Sequence, residues 1–328
     1  MAYCLVTGGA GFIGSHLVEG LLRHGHRVRV LDDFATGASA NLAAVQQQLA
    51  SESVDFSLDI VEGSILDSRG LPAVMSGIEY VYHEAALPSV AFSVQDPLLS
   101  NRVNVEGTLC VLVAARNAGV KRVIYAGSSS AYGDNPELPK REDHPTNPLS
   151  PYAVAKLTSE HYCRLFTELY GLETVTLRYF NVFGARQNPN SQYAAVIPKF
   201  IMALLKGEAL PVFGDGEQSR DFTHIENVVH GNLLAMTAPK VAGEVLNLAN
   251  GSRTSLLQLI AYLEELTNQQ AHIKFLPARP GDVRHSQADI TRATHLLGFM
   301  PQVNVKEGLQ HTLAYYRQLD VCAEFANM

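Results

Sequence analysis

The stretch TGGAGFIG, residues 7–14, places four glycines within seven positions. It follows the apolar run Tyr3–Thr7, which predicts a buried strand, and opens the amphipathic pattern Phe12–His24, which predicts a helix. Residues 9–14 have the spacing GxGxxG. Glycines at this spacing allow a tight turn, the close approach of a pyrophosphate, and the packing of a helix against a strand. The stretch therefore predicts a dinucleotide-binding fold.

The second predicted strand, Arg27–Leu31, is followed by Asp32 and Asp33. A carboxylate at this point of a dinucleotide fold accepts hydrogen bonds from the ribose hydroxyls of the adenosine. Its negative charge also disfavours a 2′-phosphate. We therefore expect Asp32 to bind NAD rather than NADP.

Strand and helix patterns alternate along the first 180 residues. Further apolar or β-branched runs predict strands at Asp55–Ile60, Tyr80–His83, Arg122–Ala126 and Thr174–Leu177. Longer amphipathic patterns predict helices at Pro97–Ala118 and Pro151–Tyr170, each with a glycine directly after it. This alternation predicts an α/β fold with a Rossmann-type doubly wound parallel sheet, whose ligands bind beyond the carboxyl ends of the strands.

The chain beyond residue 180 has a less regular pattern, because prolines separate short elements there. We expect residues 1–180 to form an NAD-binding domain. Residues 181–328 are expected to form a smaller, discontinuous mixed α/β lobe that binds the substrate. A strand and a helix from about residues 225–255 should return to the first domain.

The composition argues against several classes of function. The 328 residues are 47% hydrophobic and carry a net charge of -7, so neither nucleic acid nor an anionic membrane surface is expected as a partner. No apolar run approaches the roughly 20 residues that span a bilayer, and the first residues do not resemble a signal peptide. We therefore expect a soluble cytoplasmic protein. The cysteines and histidines have no metal-ligand spacing, so no metal site is predicted.

A second group of polar residues follows the fifth predicted strand. The stretch GSSSAYG, residues 127–133, continues this strand, and SPYAVAK, residues 150–156, opens the next predicted helix. Tyr152 and Lys156 are four residues apart and therefore share one helical face. A nearby ammonium group favours the phenolate form of tyrosine, and a serine hydroxyl beyond the strand can hold the reacting oxygen. The pattern predicts Tyr152 as a base assisted by Lys156.

Together these motifs resemble the extended short-chain dehydrogenase/reductase superfamily, in its branch that acts on nucleotide sugars. The resemblance rests on TGGAGFIG, on residues 128–133, on Tyr152 with Lys156, and on the stretches HEAA (residues 83–86) and RYFN (residues 178–181). It covers nearly the whole chain. Within the branch, the chain is most similar to the UDP-hexose 4-epimerases, and among these to the UDP-N-acetylglucosamine 4-epimerase subgroup.

The resemblance implies three catalytic residues, Ser128, Tyr152 and Lys156. The cofactor contacts that it implies are Gly8, Gly11, Phe12, Ile13, Gly14, Asp32, Ser64, Ile65, Ala85, Ala86, Tyr152, Lys156 and Tyr179. Many relatives have an aspartate where this chain has Ser64. The adenine contact at that position therefore depends on a serine hydroxyl.

The implied substrate contacts lie mostly in the second half of the chain. They are Ser129, Ser130, Asn181, Arg186, Val196, Lys199, Val212, Phe213, Arg220, Arg279, Asp282 and Ser286. By resemblance, the segments around Val196 and Phe213 hold uracil, Arg220 and Arg279 bind the diphosphate, and Asp282 binds the uridine ribose. Two arginines can hold a diphosphate in a chain that is acidic overall.

The implied activity is C4 epimerisation of a UDP-hexose through a transient 4-keto sugar, with tightly held NAD as the temporary hydride acceptor. Ser286 stands where a bulky tyrosine restricts relatives to UDP-glucose and UDP-galactose. Its small side chain favours UDP-GlcNAc and UDP-GalNAc, with UDP-glucose and UDP-galactose as further substrates. If Arg186 faces a C6 carboxylate, a UDP-glucuronate or UDP-GlcNAc uronate 4-epimerase is the alternative.

Other activities of this scaffold are less favoured. The dehydratases and decarboxylases of the superfamily usually carry acidic residues where this chain has Ser129 and Ser130. A non-catalytic dinucleotide sensor would usually lack Tyr152 and Lys156. Relatives commonly form dimers through long helices, so a homodimer is expected.

Overall fold

The structure, a computed structural model, describes residues 1–189, 195–278 and 283–326. Its strands are β1 (Tyr3–Thr7), β2 (Arg27–Asp32), β3 (Ser57–Glu62), β4 (Tyr80–His83), β5 (Arg122–Ser128), β6 (Glu173–Tyr179), β7 (Val182–Phe183), β8 (Leu210–Phe213), β9 (Ser219–Arg220), β10 (Thr223–His224), β11 (Glu244–Leu248), β12 (Thr254–Ser255) and β13 (Ile273–Leu276). Its α-helices are α1 (Phe12–Arg23), α2 (Ser39–Ser51), α3 (Leu71–Val74), α4 (Val90–Gln95), α5 (Pro97–Asn101), α6 (Thr108–Ala118), α7 (Pro151–Tyr170), α8 (Val196–Leu205), α9 (Ile225–Thr237), α10 (Leu256–Thr267), α11 (Thr291–Leu297) and α12 (Val305–Ala326).

Seven strands form the central sheet in the order β11-β6-β5-β4-β1-β2-β3. Every neighbouring pair in this sheet is parallel. The chain builds outward from β1 to β3 and then returns to β4 on the other side of β1, which creates a topological switch point. The predicted doubly wound Rossmann-type α/β fold is confirmed, and the carboxyl ends of β1 and β4 mark where ligands of such sheets bind.

Most predicted strands and helices lie where the sequence pattern places them, with two notable differences. The third strand begins at Ser57, two residues later than predicted, because Arg27 at the start of β2 pairs with Ser57. The predicted helix Pro97–Ala118 is three segments, since Arg102–Gly107 forms a π-helical turn between α5 and α6. The carbonyl of Asn104 in this wide turn accepts hydrogen bonds from the hydroxyls of Thr108 and Ser159, at 2.7 and 2.8 Å.

Apolar residues cover both faces of the central sheet. One face packs on α1, α2 and α9 through residues such as Leu17, Val45 and Val228, and the other packs on α3, α6 and α7. A third core joins α8, α10 and α12 with β8. It contains Leu204, Leu259 and Leu309, all almost fully buried. These packed layers hold the loops at the carboxyl edge of the sheet in fixed positions.

The strand β11 belongs to the central sheet, although it follows α8, β8 and α9 in the chain. It pairs with β6 from Glu244 to Leu248. The guanidinium of Arg122 on β5 donates to the carbonyls of Ala235 and Met236 near the end of α9. Among the described residues, no helix is both long enough and apolar enough to cross a membrane.

The buried His83 side chain at the end of β4 is expected to make the protein less stable in mild acid. Its Nδ1 lies 2.7 Å from the hydroxyl oxygen of Thr7, and its Nε2 lies 2.9 Å from that of Thr108. Burial lowers the pKa of His83 from 6.5 to about 3. The unfolded chain therefore binds a proton below about pH 6.5 that the folded chain excludes, and stability falls as the pH drops from there.

A variant of His83 should remove this part of the pH dependence. Its contribution amounts to up to about 1.4 kcal/mol per pH unit below the unfolded pKa. We expect His83→Gln to show a smaller loss of unfolding free energy between about pH 7.5 and pH 5, measured by urea denaturation. The exposed His161 provides the control, since His161→Gln should keep the slope of the parent protein. An unchanged slope in His83→Gln would contradict the prediction.

Candidate active site

The glycine turn between β1 and α1 leaves no room for side chains. A Cβ on Gly14 would lie 2.1 Å from the carbonyl oxygen of Gly8, and a Cβ on Gly8 would lie 2.7 Å from the amide nitrogen of Ala85. The first turn of α1 lies within the described residues. No side chain caps its N-terminus, and none of its residues is acidic. The free amide groups there suit the phosphates of a dinucleotide. The residues therefore fit the predicted cofactor.

Asp32 at the end of β2 is held against this turn. Its Oδ2 accepts a hydrogen bond from the amide of Ala10 at 2.8 Å, and its Oδ1 accepts one from Phe34 at 2.9 Å. Burial raises the pKa of Asp32, and these two hydrogen bonds oppose the rise. The carboxylate oxygens retain lone pairs for further donors, as expected for a ribose contact.

The other predicted cofactor contacts lie around the same edge of the sheet. Ala85, after β4, has its amide 3.4 Å from the Thr7 hydroxyl. The hydroxyl of Ser64, after β3, accepts from the amide of Leu66 at 3.3 Å. Ile65 is buried and packs against the π-helical turn, because a Cβ on Gly107 would meet it at 2.5 Å.

The serine at the end of β5 is linked to the predicted base. Ser128 accepts hydrogen bonds from the amide and the hydroxyl of Ser130, at 3.2 and 2.8 Å. The side chain of Ser128 lies close enough to the hydroxyl of Tyr152 to lower the pKa of that hydroxyl. Because Ser130 donates to Ser128 twice, the Ser128 proton points away from Ser130. The sequence predicts both groups near one strand end, and the structure places them close together.

The first turn of α7 fixes the position of Tyr152. Ser150 is the N-cap and accepts from the amide of Ala153 at 3.2 Å, while Pro151 occupies the first helical position. The amide of Tyr152 donates to the hydroxyl of Ser93 on α4 at 3.1 Å. The phenol is thus held by a capped helix end and by a neighbouring helix.

A buried charged network lies next to Tyr152. Lys156 donates to the carbonyl of Ala126 at 2.8 Å, and its ammonium lies 5.0 Å from the centre of the Tyr125 ring. Glu84, after β4, accepts from the hydroxyl of Tyr179 at 2.8 Å. Burial lowers the pKa of Lys156 and raises that of Glu84, while the attraction between the two opposite charges opposes both shifts. Lys156 and Glu84 therefore stabilise each other's charged form inside the protein.

The surroundings of Tyr152 act on its pKa in a direction that the sequence did not indicate. We expected the ammonium of Lys156 to favour the phenolate. In the structure, burial has the largest effect and raises the pKa of Tyr152, the hydrogen bond with Ser128 lowers it, and the charge of Glu84 raises it further. The protein alone therefore keeps the hydroxyl protonated, because the site is dry and a carboxylate lies nearby.

A cavity of about 380 Å³ lies beyond the end of β6. Among the predicted substrate contacts, the residues that line it are Asn181, Val196, Lys199, Phe213 and Arg220. Val212 does not line it, because its side chain is fully buried in the core under β8. Its neighbour Phe213 faces the cavity instead, since alternate residues of a strand point to opposite sides.

A second opening, of about 520 Å³, lies at the amino ends of β4, β5 and β6, where it is lined by residues such as Lys121, Arg122 and Glu173. The predicted site residues lie at the opposite edge of the sheet. Since ligands of open parallel sheets bind beyond the carboxyl ends of the strands, the 380 Å³ cavity is the candidate for a ligand site.

The loop after β9 is tied to two other segments by Asp221. Its carboxylate accepts from the amides of Asn250, Gly251 and Ala288, at 2.9, 3.1 and 3.1 Å. Burial raises the pKa of this carboxyl to about 7. Ser286, two residues before Ala288, donates its amide to the carbonyl of Ser219 at 3.0 Å. The predicted contacts Arg279 and Asp282 lie outside the described residues.

Arg186 pairs with residues of α1. Its guanidinium donates to Glu19 at 2.5 Å and lies 2.7 Å from Nδ1 of His16, and its side chain is mostly buried. Its contact with a substrate stays a prediction. Arg186 ties its loop to α1 and does not line the described cavity.

Sequence reasoning gave no role to three residues that shape the site. Glu84 had the clearest signal, because it is an acidic residue directly after a buried strand at the ligand edge of the sheet. The local sequence does not indicate the roles of Ser93 and Asp221, because their partners, Tyr152 and Ala288, are 59 and 67 residues away in the chain.

Known proteins with similar sequences include enzymes named for their action on UDP-sugars. Residues 4–249 match the model of the NAD dependent epimerase/dehydratase family. A UDP-glucose 4-epimerase of Mycolicibacterium smegmatis is 40% identical over 95% of this chain and 98% of its own length. A UDP-N-acetyl-alpha-D-glucosaminuronate decarboxylase of Bacillus cytotoxicus is 33% identical over 97% of this chain and 98% of its own length.

Solved structures resemble the whole chain as well. A UDP-N-acetylglucosamine 4-epimerase from Methanobrevibacter ruminantium, in complex with UDP-N-acetylmuramic acid, has a TM-score of 0.90 and 38% identity, with 97% of this chain and 99% of that chain covered. A UDP-glucuronic acid 4-epimerase from Bacillus cereus, in complex with UDP-glucuronic acid and NAD, has a TM-score of 0.87 and 33% identity at the same coverage. These proteins share the fold but act on different UDP-sugars.

Proposed function

Because this chain belongs to the NAD dependent epimerase/dehydratase family, we propose that it is a UDP-sugar 4-epimerase, with UDP-GlcNAc and UDP-GalNAc as its main substrates. The observation that carries the proposal is the arrangement at the ends of β5 and β6. Ser128, which lies close to the Tyr152 hydroxyl, pairs with Tyr179 across these two strands. Asn181 of the cavity wall follows Tyr179 by two residues. The nucleotide cavity and the proton-transfer groups therefore adjoin.

The cofactor of this chain is NAD. When bound, it would supply a reversible hydride acceptor for C4 of the sugar, so that inversion through a 4-keto sugar needs no net oxidant. The protein contributes the glycine turn at the N-terminus of α1 for the phosphates, and it contributes Asp32 for the adenosine ribose. The side chain of Lys156 is anchored on the carbonyl of Ala126 at the end of β5. In the complex with NAD, Lys156 would hold the nicotinamide ribose.

Tyr152 and Ser128 act on O4 of the sugar, and Ser130 orients the hydroxyl of Ser128. For this role Tyr152 must be a phenolate, a form that the positive charge of a bound nicotinamide would favour. The phenolate takes the proton from O4 as the C4–H bond breaks, and the phenol gives it back when the inverted alcohol forms. Ser128 donates a hydrogen bond to O4, which stabilises the negative charge that develops there. Ser130 donates to Ser128 at 2.8 Å and so keeps the Ser128 proton pointing away from itself. The nucleotide is held firmly, which leaves the hexose free to turn.

The choice of hexose rests on Ser286 and its neighbours. Its amide is paired with the carbonyl of Ser219, next to Arg220 of the cavity wall. A serine at this point leaves room for an N-acetyl group. We expect Ser286→Tyr to suppress turnover of UDP-GlcNAc by about 10-fold to 100-fold and to retain turnover of UDP-glucose, because the added ring fills that space. Ser252→Tyr serves as the matched control, since Ser252 lies exposed on a neighbouring loop, and it should keep the substrate preference of the parent protein.

The experiment is an NMR time course of the purified protein, without added NAD, against UDP-glucose, UDP-GlcNAc and UDP-glucuronate in parallel. Conversion of UDP-GlcNAc to its C4 epimer, at the highest rate of the three, is the expected result. A preference for UDP-glucuronate in the parent protein would contradict the choice of substrate. A failure to epimerise any of the three would contradict the proposed activity.

The alternatives lack a supporting contact among the described residues. A uronate epimerase needs a cation that faces the C6 carboxylate, and Arg186 is engaged by Glu19. A dehydratase or decarboxylase of this superfamily would usually need an acidic group at position 129 or 130, where this chain has serines. The 4-epimerisation of UDP-GlcNAc and UDP-GalNAc therefore remains the activity that we propose.

The assembly that we propose is a homodimer formed by α5 and α7. Several large apolar side chains on these helices and on the neighbouring α4 are exposed: Val90, Val94, Leu98, Leu99, Val154, Leu165, Leu169 and Tyr170. A surface of this kind on neighbouring helices favours contact with a second copy. We expect light scattering to give twice the mass of the chain, and Leu98→Asp to shift it toward one chain. A monomer mass for the parent protein would contradict the dimer.

A further inference from the structure

Two histidines and a glutamate converge on the side of the molecule where α9 meets α12. They are His224, the residue before α9, Glu226 in the first turn of α9, and His311 on α12. One ligand atom of each lies within 4.8 Å of those of the other two. The Nδ1 of His311 is 3.1 Å from Oε1 of Glu226, and the Nδ1 of His224 is 3.8 Å from the same oxygen. None of the three belongs to the proposed catalytic group.

The His224 ring is buried and its orientation is fixed. Only 3% of the residue is exposed, and its Nδ1 is a buried atom without a hydrogen-bond partner among the described residues. The ring of Phe183 packs at 5.3 Å between centroids. On α12, a Cβ on Gly308 would lie 2.8 Å from the His224 ring, so a glycine is needed there. A buried nitrogen without a partner is costly unless something binds it.

We propose that His224, Glu226 and His311 bind a divalent transition-metal ion of the Zn²⁺ type. Two imidazole nitrogens and one carboxylate oxygen are ligands that suit Zn²⁺, whereas Mg²⁺ and Ca²⁺ prefer oxygen ligands alone. Bonds of about 2.0–2.1 Å in a tetrahedral site place ligand atoms about 3.3 Å apart. The distance of 3.1 Å between Glu226 and His311 already meets this value. The His224 nitrogen needs to approach Glu226 by about half an ångström. It also needs to approach His311, since the three ligand atoms lie within 4.8 Å of one another. Water completes the fourth position, since Glu226 and His311 are exposed on the outer side.

The charge and the contacts of Glu226 support metal binding. The carboxylate of Glu226 supplies one negative charge. The cation would replace the two contacts that Glu226 makes with the imidazoles by direct bonds.

The location gives the ion a structural role behind the substrate cavity. His224 pairs with Phe183 where β10 meets β7, and Phe183 lines the cavity. The helix α12 contributes Leu309 and Leu313 to the core of the small lobe, while α9 packs on α1 and the central sheet. A bound ion would therefore join the two cores and stiffen the wall that Phe183 forms. The sequence did not predict this site, because His224 and His311 are far apart in the chain.

The test uses the untagged full chain after treatment with EDTA, with ZnCl₂ or CoCl₂ as the only added metal. We expect one equivalent of Zn²⁺ to bind in calorimetry and to raise the melting temperature, and MgCl₂ to have neither effect. The Co²⁺ form should show the visible absorption of a low-coordinate site without a thiolate charge-transfer band, which excludes the cysteines as ligands.

Variants localise the binding. His311→Ala and Glu226→Gln change exposed side chains and should fold. Each should weaken Zn²⁺ binding by more than the roughly 10-fold to 100-fold that loss of an outer-shell partner costs. His295→Ala, which alters an exposed histidine of α11, should bind as the parent does. The proposal is overturned if the parent protein binds no Zn²⁺, if both variants bind it as well as the parent, or if a thiolate band appears.

Discussion

Replacing Tyr152 by phenylalanine is expected to lower the rate of epimerisation by about 10³-fold while UDP-sugar and NAD still bind. The reason is that the variant keeps the ring and loses only the hydroxyl, which lies close to Ser128 and is the proposed proton acceptor. The first turn of α7 should remain intact, because Ser150 and Pro151 hold it through the backbone. The measurement is the turnover of UDP-GlcNAc by NMR, together with calorimetric binding of UDP.

A second tyrosine on the same helix provides the control for this variant. Tyr162 lies on α7 ten residues beyond Tyr152, away from the Ser128 contact. Tyr162→Phe should keep the turnover of the parent protein within about twofold, as most substitutions remote from a site do. A Tyr152→Phe protein that retains more than about a tenth of the parent rate would exclude Tyr152 as the base, because removal of a general base costs at least about 10²-fold.

Replacing Gly14 by alanine is expected to abolish the retention of NAD and, with it, the activity. The added Cβ would overlap backbone atoms only: it would lie 2.1 Å from the oxygen of Gly8 and 2.9 Å from the Cα of Gly9. Neither atom can move without displacing the turn from the N-terminus of α1. A displacement of about 1 Å of groups that position a ligand costs about 10²-fold. The measurement is the NAD content of the purified protein, released by denaturation, and the turnover with NAD added back.

Gly119 separates this effect from a general loss of stability. It ends α6 with φ of +71°, and a Cβ there would meet nothing within 4 Å. Gly119→Ala should cost about 1 kcal/mol of stability through its left-handed backbone and should keep its NAD. If Gly14→Ala folds and retains NAD as fully as Gly119→Ala does, the proposed role of the glycine turn is wrong.

The sequence was sufficient for the architecture because the pattern of each element is local. The runs Tyr3–Thr7 and Tyr80–His83 and the helix Pro151–Tyr170 begin and end where their apolar period, their cap and their glycine indicate. The sequence did not predict the start of β3 correctly, because the first residue of an edge strand is set by its pairing with β2. It also did not predict the π-helical turn, which depends on the bonds from Thr108 and Ser159 to Asn104.

For the site, the sequence determined which chemical groups stand at the ligand edge of the sheet. The glycine turn, Asp32, Ser128 and the pair of Tyr152 with Lys156 follow directly from strand ends and helix starts, and a strand end in a parallel sheet has one fixed location. These positions can therefore be predicted from the sequence alone. Their roles in catalysis remain predictions that the variants above test.

Only the tertiary structure decided how the side chains are paired. It paired Arg186 with Glu19 of α1. It turned Val212 into the core and Phe213 toward the cavity. It also placed His224 beside His311. Each of these contacts joins segments that are remote in the chain, and their partners are selected by the packing of helices and strands, which no local pattern of residues encodes.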